Sequence, residues 1–282
     1  MSGAPRDPGA GPSRYVCGYD RREIDRLALQ ARIYEPVTRR LLARAGIGPG
    51  YRVVDVGCGG GDVSLLAGEQ VGPTGSVEGV DRSRESLDAA EARARAAGML
   101  QVRFVAGELG SWAPAAAVDA VIGRFVLMHQ RDPVAVLARV SGWVRPGGVV
   151  AFVESDIAAC QPGAHSQPHS SSYDGIVRIW QQAIAAAGAH LDMGPRLVAC
   201  FEAAGLPAPS LEVDRYVSGE PGSPIFRFAV ESARSMVAAG APLPSADALE
   251  TEVRSLGGWL SAPPAYAVWA RRASNDDLGI GD

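Results

Sequence analysis

The chain has 282 residues, of which 47% are hydrophobic and 21% are charged, with a formal net charge of −4. This length is enough for one large core, or for one core with an attached cap. All 27 basic residues are arginine, which excludes lysine chemistry such as a Schiff base or a Walker phosphate site.

The same composition argues against membranes, nucleic acids and structural metals as partners. No apolar run approaches the ~20 residues that a membrane helix needs, and residues 1–13 lack an apolar signal core. There is no basic run of the kind that binds nucleic acid. The cysteines (Cys17, Cys58, Cys160 and Cys200) form no C-x-x-C pair, which is typical of a reduced compartment without a zinc site. We therefore predict a cytoplasmic protein with no metal.

The first fifty residues are predicted to be a disordered N-terminal segment followed by helices. Residues 1–13 are rich in Gly and Pro and are expected to be disordered. Residues 15–46 have apolar residues at helical spacing, and Pro36 is predicted to break this run into two helices. Residues 14–50 are thus expected to form N-terminal cap helices.

From residue 53 to residue 156 the pattern alternates between strand and helix, which is typical of a parallel α/β sheet. A helical pattern begins at Val63. Two further helices are predicted, one from Ser83, which caps it, to Gly98, and one from Asp132, with proline in its first turn, to Val144. An R-P-G-G turn is expected at residues 145–148. The predicted strands cover residues 53–56, 76–81, 102–105, 118–123 and 149–153.

The remainder of the chain is predicted to begin with a polar loop at residues 157–172, which also contains two histidines that we expect to be solvated. Helices are predicted at residues 173–188, 195–204, 223–240 and 245–260. Strands are predicted at residues 210–217 and 265–270, where apolar residues are frequent or alternate.

The main functional motif is a strand followed by alternate glycines. Gly57, Gly59 and Gly61 follow the first strand at once, and a helical pattern comes next. This order brings bare backbone and a helix N-terminus up to a ligand. Asp81 ends the next strand about 20 residues later, where a ribose-binding carboxylate belongs. The sixth motif position is Asp62, whereas a dinucleotide fingerprint needs Gly or Ala there.

The stretch D-V-G-C-G-G-G at residues 55–61 resembles motif I of class I S-adenosylmethionine (SAM)-dependent methyltransferases. The core is similar to the ubiquinone/menaquinone C-methyltransferase branch. The resemblance implies a Rossmann-like α/β fold with a seven-stranded sheet, parallel with an antiparallel last strand, and a mostly helical cap. The implied segments are the SAM-binding core at 51–157, loop and cap helices at 158–205, a hairpin of strands six and seven with an inserted helical pair at 206–272, and a tail at 273–282.

The resemblance also implies a set of cofactor-binding residues. Asp81 would hold the ribose hydroxyls, and Glu108 would accept a hydrogen bond from the adenine amino group. The next backbone N–H would donate to a ring nitrogen of the adenine. Arg124 would pair either with the cofactor carboxylate or with Asp55. Gln30 resembles a residue that caps the cofactor. The complete predicted set is Gln30, Asp55, Gly57, Cys58, Gly59, Asp81, Arg82, Gly107, Glu108, Leu109 and Arg124.

Three residues are candidates for catalysis. His129 follows the fourth strand and titrates near neutral pH, so it is the preferred general base. Glu154 and Asp156 end the fifth strand, and as neighbouring carboxylates they are expected to raise each other's pKa. The aromatic residues of the cap, including Tyr34 and Trp180, are expected to be mostly core and otherwise to line an apolar pocket.

The sequence therefore predicts methyl transfer from SAM, which leaves S-adenosylhomocysteine (SAH), to a small and fairly apolar metabolite, as in secondary metabolism. Two alternatives stay open: a cyclase or isomerase that keeps SAM on the same fold, and a module that binds SAM for regulation. The expected partner is a small molecule, with neither nucleic acid nor membrane. A homodimer also remains open.

Overall fold

In the computed structural model, residues 21–238, 240, 243, 245–255 and 257–274 are described. The predicted disordered segment at 1–13 and most of the predicted tail lie outside these residues. The helices are α1 Arg21–Arg44, α2 Asp62–Val71, α3 Arg84–Ala96, α4 Pro133–Ser141, α5 Ser171–Ala186, α6 Met193–Ala203, α7 Pro224–Ala238 and α8 Ala246–Ser255. The strands are β1 Arg52–Val56, β2 Ser76–Asp81, β3 Val102–Ala106, β4 Val118–Arg124, β5 Val144–Ser155, β6 Ser166–Gln167, β7 Ser210–Asp214, β8 Val217–Ser218, β9 Trp259–Ser261 and β10 Ala265–Arg271.

The larger sheet has seven strands in the order β3-β2-β1-β4-β5-β10-β7. The first five strands of the chain pair in parallel. The last strand, β10, is antiparallel to both of its neighbours, β5 and β7. This confirms the predicted fold class. The strand order reverses between β1 and β4, and ligands of such sheets bind outside the carboxyl ends of the strands at this point.

Two apolar clusters hold the sheet between layers of helices. One packs the buried residues of α1, α2, α3 and α7 against one face, and the other packs α4 and α6 against the opposite face. Phe152 of β5 and Phe201 of α6 meet edge to face, with ring centroids 6.3 Å apart. The central strands are covered on both faces, as their continuous Val and Ile content predicts.

Helix α1 runs without a break through Pro36, so the prediction of two helices was wrong. Pro36 and Arg32 are both exposed. The backbone hydrogen bond to the Arg32 carbonyl, which Pro36 cannot donate, is thus missing on an exposed stretch of the helix, where water can replace the donor. Buried residues on both sides of the proline, Ile33 and Val37 among them, anchor the two halves in the same core.

A second sheet of three short strands, in the order β6-β9-β8, was not predicted. Trp259 and Leu260 belong to it, although a helix was expected to reach residue 260. Helix α8 ends at Ser255, and Gly257 adopts a φ of 57°, a left-handed conformation that glycine supplies after a helix. A Cβ atom at Gly258 would lie 1.6 Å from the Gln167 carbonyl oxygen, so this glycine lets the two backbones pair.

Two further boundaries differ from the sequence prediction. Strand β5 begins at Val144 and takes in the expected turn at 145–148, and its register against β4 shifts between Val118 and Ala120. Such a bulge absorbs the extra residues without ending the strand. The strand expected at 210–217 is divided between the two sheets, with β7 in the larger and β8 in the smaller.

Candidate active site

The glycine loop between β1 and α2 has two glycines that packing requires and one that faces open space. Gly57 and Gly61 have φ angles of 62° and 80°. A Cβ atom at Gly57 would lie 2.6 Å from Val126 Cγ2, and one at Gly61 would lie 2.8 Å from the Phe104 ring. Gly59 has a φ of 49° and no atom within 4 Å of such a Cβ. The loop therefore presents bare backbone to the cavity at Gly59.

Asp81, at the end of β2, holds this loop in place. Its Oδ2 accepts a hydrogen bond from the Gly59 backbone N–H at 2.9 Å, and its Oδ1 accepts one from the Ser83 N–H at 2.8 Å. Ser83 in turn caps α3 by accepting from the Ser86 N–H. A carboxylate has about four acceptor sites on its two oxygens, so Asp81 keeps the capacity to bind hydroxyl groups in the cavity.

The loop after β3 forms the third edge of the site. The Gly107 N–H donates to the Asp81 carbonyl at 2.9 Å. A Cβ atom at Gly107 would lie 2.8 Å from the Trp112 ring, so the glycine is needed for this close packing. Glu108 has an exposed side chain at the rim, and its carbonyl accepts from the N–H groups of Ser111 and Trp112.

These loops border a cavity of about 390 Å³ at the carboxyl ends of the strands. Its volume falls within the roughly 300–1,000 Å³ that is usual for small-molecule sites. The sheet side and the loops contribute one wall, and helices α1 and α5 contribute the other. Ten of the eleven predicted cofactor-binding residues line it, namely Gln30, Gly57, Cys58, Gly59, Asp81, Arg82, Gly107, Glu108, Leu109 and Arg124.

Asp55 is the predicted residue that does not line the cavity. It is 1% exposed in β1 and accepts a 2.6 Å hydrogen bond from the Ser64 hydroxyl. Desolvation raises the pKa of Asp55 to about 7. Asp55 thus ties strand β1 to helix α2 beneath the glycine loop.

Arg124 lies on the floor of the cavity, beside α1. Its Nη1 donates to the Thr38 hydroxyl at 3.1 Å, and its guanidinium carbon lies 5.9 Å from the Phe125 ring centroid. Burial lowers the pKa of Arg124, although a guanidinium stays charged in proteins. Within the described part of the chain it forms no ion pair with Asp55, which was one of its two expected partners.

His129 lines the cavity from a 3-10 turn that follows β4, Leu127–His129. Desolvation and the positive charge of Arg82 lower the pKa of His129 from its ordinary 6.5. A lowered pKa keeps the imidazole neutral at physiological pH, which is the form that accepts a proton.

Glu154, which was predicted as a possible general base, does not lie where a base could reach a ligand in the cavity. It is fully buried and does not line the cavity. Its two carboxylate oxygens accept backbone N–H groups of the 3-10 turn, from Val126 at 2.9 Å, Leu127 at 2.7 Å and Met128 at 3.4 Å. Desolvation raises the pKa of Glu154 to about 8, and Asp156 is not the cause. Asp156 also lies outside the cavity lining and accepts from the Ala159 N–H at 3.0 Å.

Several lining residues were not singled out from the sequence. Phe125 is a non-glycine residue with a φ of 57°, a strained conformation that no local sequence signal predicts. Its ring meets Tyr34 edge to face at 4.7 Å. Six further residues of this kind lie on the inner faces of the two cap helices: Arg26, Leu27 and Ala31 on α1, and Ala183, Ile184 and Ala187 at α5.

A narrow apolar recess continues the cavity between α1, α5 and α7. Its volume is about 30 Å³, close to that of one or two atoms. It shares five lining residues with the main cavity, Gln30, Tyr34, Ile157, Trp180 and Pro263, and is otherwise walled by Ile33, Tyr173, Ile176, Val177, Ile225, Phe228 and Ala262. The predicted apolar pocket from cap aromatics corresponds to this region.

Elsewhere, His165 was expected to be solvated but is 1% exposed, with Nδ1 3.2 Å from the Ser261 hydroxyl. It directly precedes β6, and its carbonyl accepts a hydrogen bond from the Ser261 N–H of β9 at 2.9 Å. Among the described residues, no three or more His, Cys, Asp or Glu side chains group as metal ligands. In the same part of the chain, no helix is both long and apolar enough to span a membrane.

The residues of the cavity fit the expected cofactor. The open space at Gly59 admits a ligand against the loop backbone, and the Asp81 carboxylate beside it suits ribose hydroxyls. Arg124 supplies a cation on the floor for a carboxylate, and Glu108 an acceptor at the opposite rim. These donors and acceptors are spread along one wall, as an extended nucleoside with an amino-acid tail requires.

Comparisons with known proteins agree with this arrangement. Residues 47–205 match a family model described as a methyltransferase domain. The chain is 37% identical over 114 residues to trans-aconitate 2-methyltransferase of Azoarcus sp. (strain BH72), covering 40% of this chain and 43% of that protein. It is 38% identical over 117 residues to nocamycin O-methyltransferase of Saccharothrix syringae, covering 41% of each. The chain thus matches less than half the length of these two relatives.

Among solved structures, geranyl diphosphate methyltransferase in complex with SAM aligns with a TM-score of 0.53 and 21% identity. The alignment covers 95% of this chain and 93% of that one. At this identity the likeness concerns the fold.

Proposed function

This chain belongs to the methyltransferase domain family, as a class I member that depends on SAM, and we propose from this premise that it methylates a small, fairly apolar metabolite. One observation carries the proposal. The cavity that receives the cofactor at the glycine loop extends across to an apolar wall formed by Leu27, Ala31 and Trp180. Such a wall opposite the cofactor loops is suited to a methyl acceptor, because sites for small molecules are lined mainly by apolar and aromatic side chains.

In this proposal the cofactor lies along the loops after β1, β2 and β3. Asp81 accepts hydrogen bonds from the ribose hydroxyls, and Glu108 accepts from the adenine amino group beside the Leu109 N–H. The backbone from Gly57 to Gly59 follows the methionine half. Arg124 binds the cofactor carboxylate, for which its charge and its position in the cavity lining are suited.

The chemistry supplied by bound SAM is an activated methyl group on a sulfonium. The protein's main task is then to position the acceptor in line with it, which contributes up to about 7–11 kcal/mol in ideal cases. His129 acts as general base on the acceptor proton, because it lines the cavity and its pKa is lowered. Glu154 instead positions the turn that carries His129, through its three backbone acceptor contacts.

The deciding experiment incubates the full chain with isotopically labelled methyl-SAM and a metabolite extract, followed by mass spectrometry. A product heavier by one labelled methyl group is the expected result. An acceptor converted to an isomer without label would instead identify a cyclase or isomerase on this fold. Bound SAM with no converted metabolite would identify a regulatory module.

A pH profile tests the role of His129. With the acceptor found above, turnover of the wild type should rise with pH to a plateau, and the midpoint of this rise should lie below 6.5, because the pKa of His129 is lowered. His129→Gln should lower turnover by about 100-fold while SAH affinity is unchanged. Arg82→Gln removes a charge that lowers the pKa of His129, so its acid limb should move to higher pH at saturating SAM. A His129→Gln enzyme with the wild-type profile would exclude His129 as the base.

The proposal includes a cytoplasmic location and a small-molecule acceptor rather than nucleic acid. The net charge of −4 and the absence of C-x-x-C pairs in the sequence support these two points. A homodimer is compatible with the proposal, and the oligomeric state is measurable by light scattering.

A further inference from the structure

The apolar recess beside the main cavity lies on the cap side of the site. Helices α1, α5 and α7 form most of its wall, and Ala262 and Pro263, which precede β10, complete it. Among the described residues that line it, none comes from the loops after β1, β2 and β3 that border the cofactor space. A group that enters the recess therefore points away from these loops.

The surface of the recess is almost entirely apolar. The Tyr173 hydroxyl at its wall donates to the Ser261 carbonyl at 3.0 Å, and the Tyr34 hydroxyl lies 3.5 Å from the Pro263 carbonyl. Both hydroxyls thus already have a backbone acceptor. A buried water needs about two to four polar partners. Because the described wall does not supply that many, we expect the recess to hold no ordered water.

Aromatic contacts at the wall keep the recess from closing. Trp180 of α5 and Phe228 of α7 meet edge to face with ring centroids 4.8 Å apart, and Tyr34 meets Phe125 in the same way at 4.7 Å. Ile225, between them on α7, is buried. A packed wall of this kind relaxes only in part around empty space, and the atoms that face the space lack contacts on one side. An apolar group that fills the recess restores these contacts.

The volume of the recess limits the size of that group. It is about 30 Å³, whereas a single buried water needs roughly 10–15 Å³. There is thus room for about two groups of that size, such as the two carbons of an ethyl group. A longer or branched group would press on buried side chains, and overpacking of a filled core is unfavourable.

We propose that this recess is a specificity subsite that receives a terminal alkyl group of the acceptor, at the end away from the methylated atom. This inference rests on the proposed function and names the substrate class of the same site: an apolar metabolite that ends in an alkyl group of ethyl size. Burial of each carbon of this group removes apolar surface from water. The wall hydroxyls keep their backbone acceptors, so lost hydrogen bonds do not offset this gain.

Isothermal titration of the SAH-loaded full chain with a series of 4-alkylphenols, from methyl to hexyl, tests the subsite. Affinity should rise about fourfold with each added carbon up to one chain length, and it should fall for the next longer chain.

Two variants of α5 change the size of the recess in opposite directions. Val177→Ile adds one carbon to the wall, so the optimum should move to a chain that is shorter by one carbon. Ile176→Val removes one carbon, so the optimum should move to a longer chain. The matched control is Val198→Ile, the same change at a half-buried valine of α6 that lines neither the cavity nor the recess. It should leave the optimum unchanged.

An affinity that levels off with chain length, without an optimum, would overturn the inference, because the chain would then extend into open space. So would an optimum that neither α5 variant moves, one that Val198→Ile moves equally, or binding of none of the probes. If one α5 variant does not fold, the other still shows whether the optimum shifts. The two proposals fail in different ways: probes that bind without a shift refute only the role of the recess. Labelled SAM that is bound but never transferred refutes the proposed function.

Discussion

Asp81 illustrates how one side chain organises a ligand site before the ligand arrives. Both of its oxygens accept backbone N–H groups, one from the glycine loop and one from the start of α3. The carboxylate therefore fixes the distance between the glycine loop and the turn that begins α3, so both are in place before a cofactor binds. Pre-organisation of this kind reduces the entropy that binding must overcome.

We expect Asp81→Asn to weaken SAM binding by roughly ten- to 100-fold, the loss of one charge-assisted hydrogen bond worth about 1.5–3 kcal/mol. The asparagine is isosteric, so the fold should persist. Calorimetric titration with SAM measures the effect, and Asp88→Asn on the exposed face of α3 is the matched control. An Asp81→Asn protein with wild-type affinity would exclude the ribose-binding role.

Glu154 shows how a buried carboxyl affects stability as pH changes. Burial raises its pKa from 4.5 to about 8 in the folded chain. The folded state then holds the proton more tightly than the unfolded state does, and stability falls as pH rises between these two values. The three hydrogen bonds that Glu154 accepts from backbone N–H groups favour the charged carboxylate and lower its pKa, but they do not cancel the larger effect of burial.

Glu154→Gln removes this titration. The free energy of unfolding of the wild type, relative to that of Glu154→Gln, should therefore decrease from pH 5 to pH 8 and level off above about 8. Urea denaturation at five pH values measures it, with Glu202→Gln on the exposed face of α6 as control. Parallel curves for wild type and Glu154→Gln would show that the buried carboxyl does not bind the proton.

At the scale of single elements, α1 contributes to both the core and the site. Ile33, Val37 and Leu41 bury one face of the helix against the sheet, while Gln30 and Tyr34 face the cavity. Arg40 joins its outer side to Glu212 at 2.8 Å, and it also pairs with Asp214. The helix is packed on the core on both sides of Pro36, which is why a proline in its interior does not end it.

The proline still has a cost, because one carbonyl lacks its donor. Pro36→Ala restores the N–H that would donate to the Arg32 carbonyl, and we expect it to stabilise the fold by about 1–3 kcal/mol. Thermal unfolding measures this, with Pro73→Ala in the exposed turn after α2 as a control that should bring no gain. A destabilised Pro36→Ala would mean that core packing requires the bend.

Elements that depend on neighbouring residues were predicted well from the sequence. The strand at 76–81 has its predicted bounds, and the glycine loop and the serine cap of α3 are where the sequence motifs indicate. Each is determined by a few adjacent residues. The class of fold followed from the alternation of such elements.

Features that depend on distant contacts were not predictable in this way. The face of α5 that meets the cavity depends on where α1 and α7 pack. The second sheet pairs strands of two or three residues from widely separated parts of the chain. Glu154 ends the fifth strand, where the sequence made it a candidate general base, and only its burial and its backbone N–H partners show that it supports the 3-10 turn.

At the scale of the whole molecule, the cavity lies between a sheet with its loops and a separate helical cap. We expect SAH alone to slow amide hydrogen exchange at Gly59 and Gly107, and an acceptor bound with it to extend protection to α1 and α5. Helix α4, which does not line the cavity, should be unaffected by either ligand. Exchange measured by mass spectrometry would contradict this if an acceptor protected the loops but neither cap helix.

The position of β10 between β5 and β7 has a consequence for how the chain folds during synthesis. Ala265 pairs with both Ser155 and Asp214. The edges of β5 and β7 that face β10 therefore stay unpaired until β10, which is synthesised after both, is available. At about 5–20 residues per second the ribosome takes several seconds to supply it. Until then β5 has an unpaired edge, the kind of surface on which nascent chains aggregate. Chaperone demand should therefore peak late in translation and end when β10 emerges.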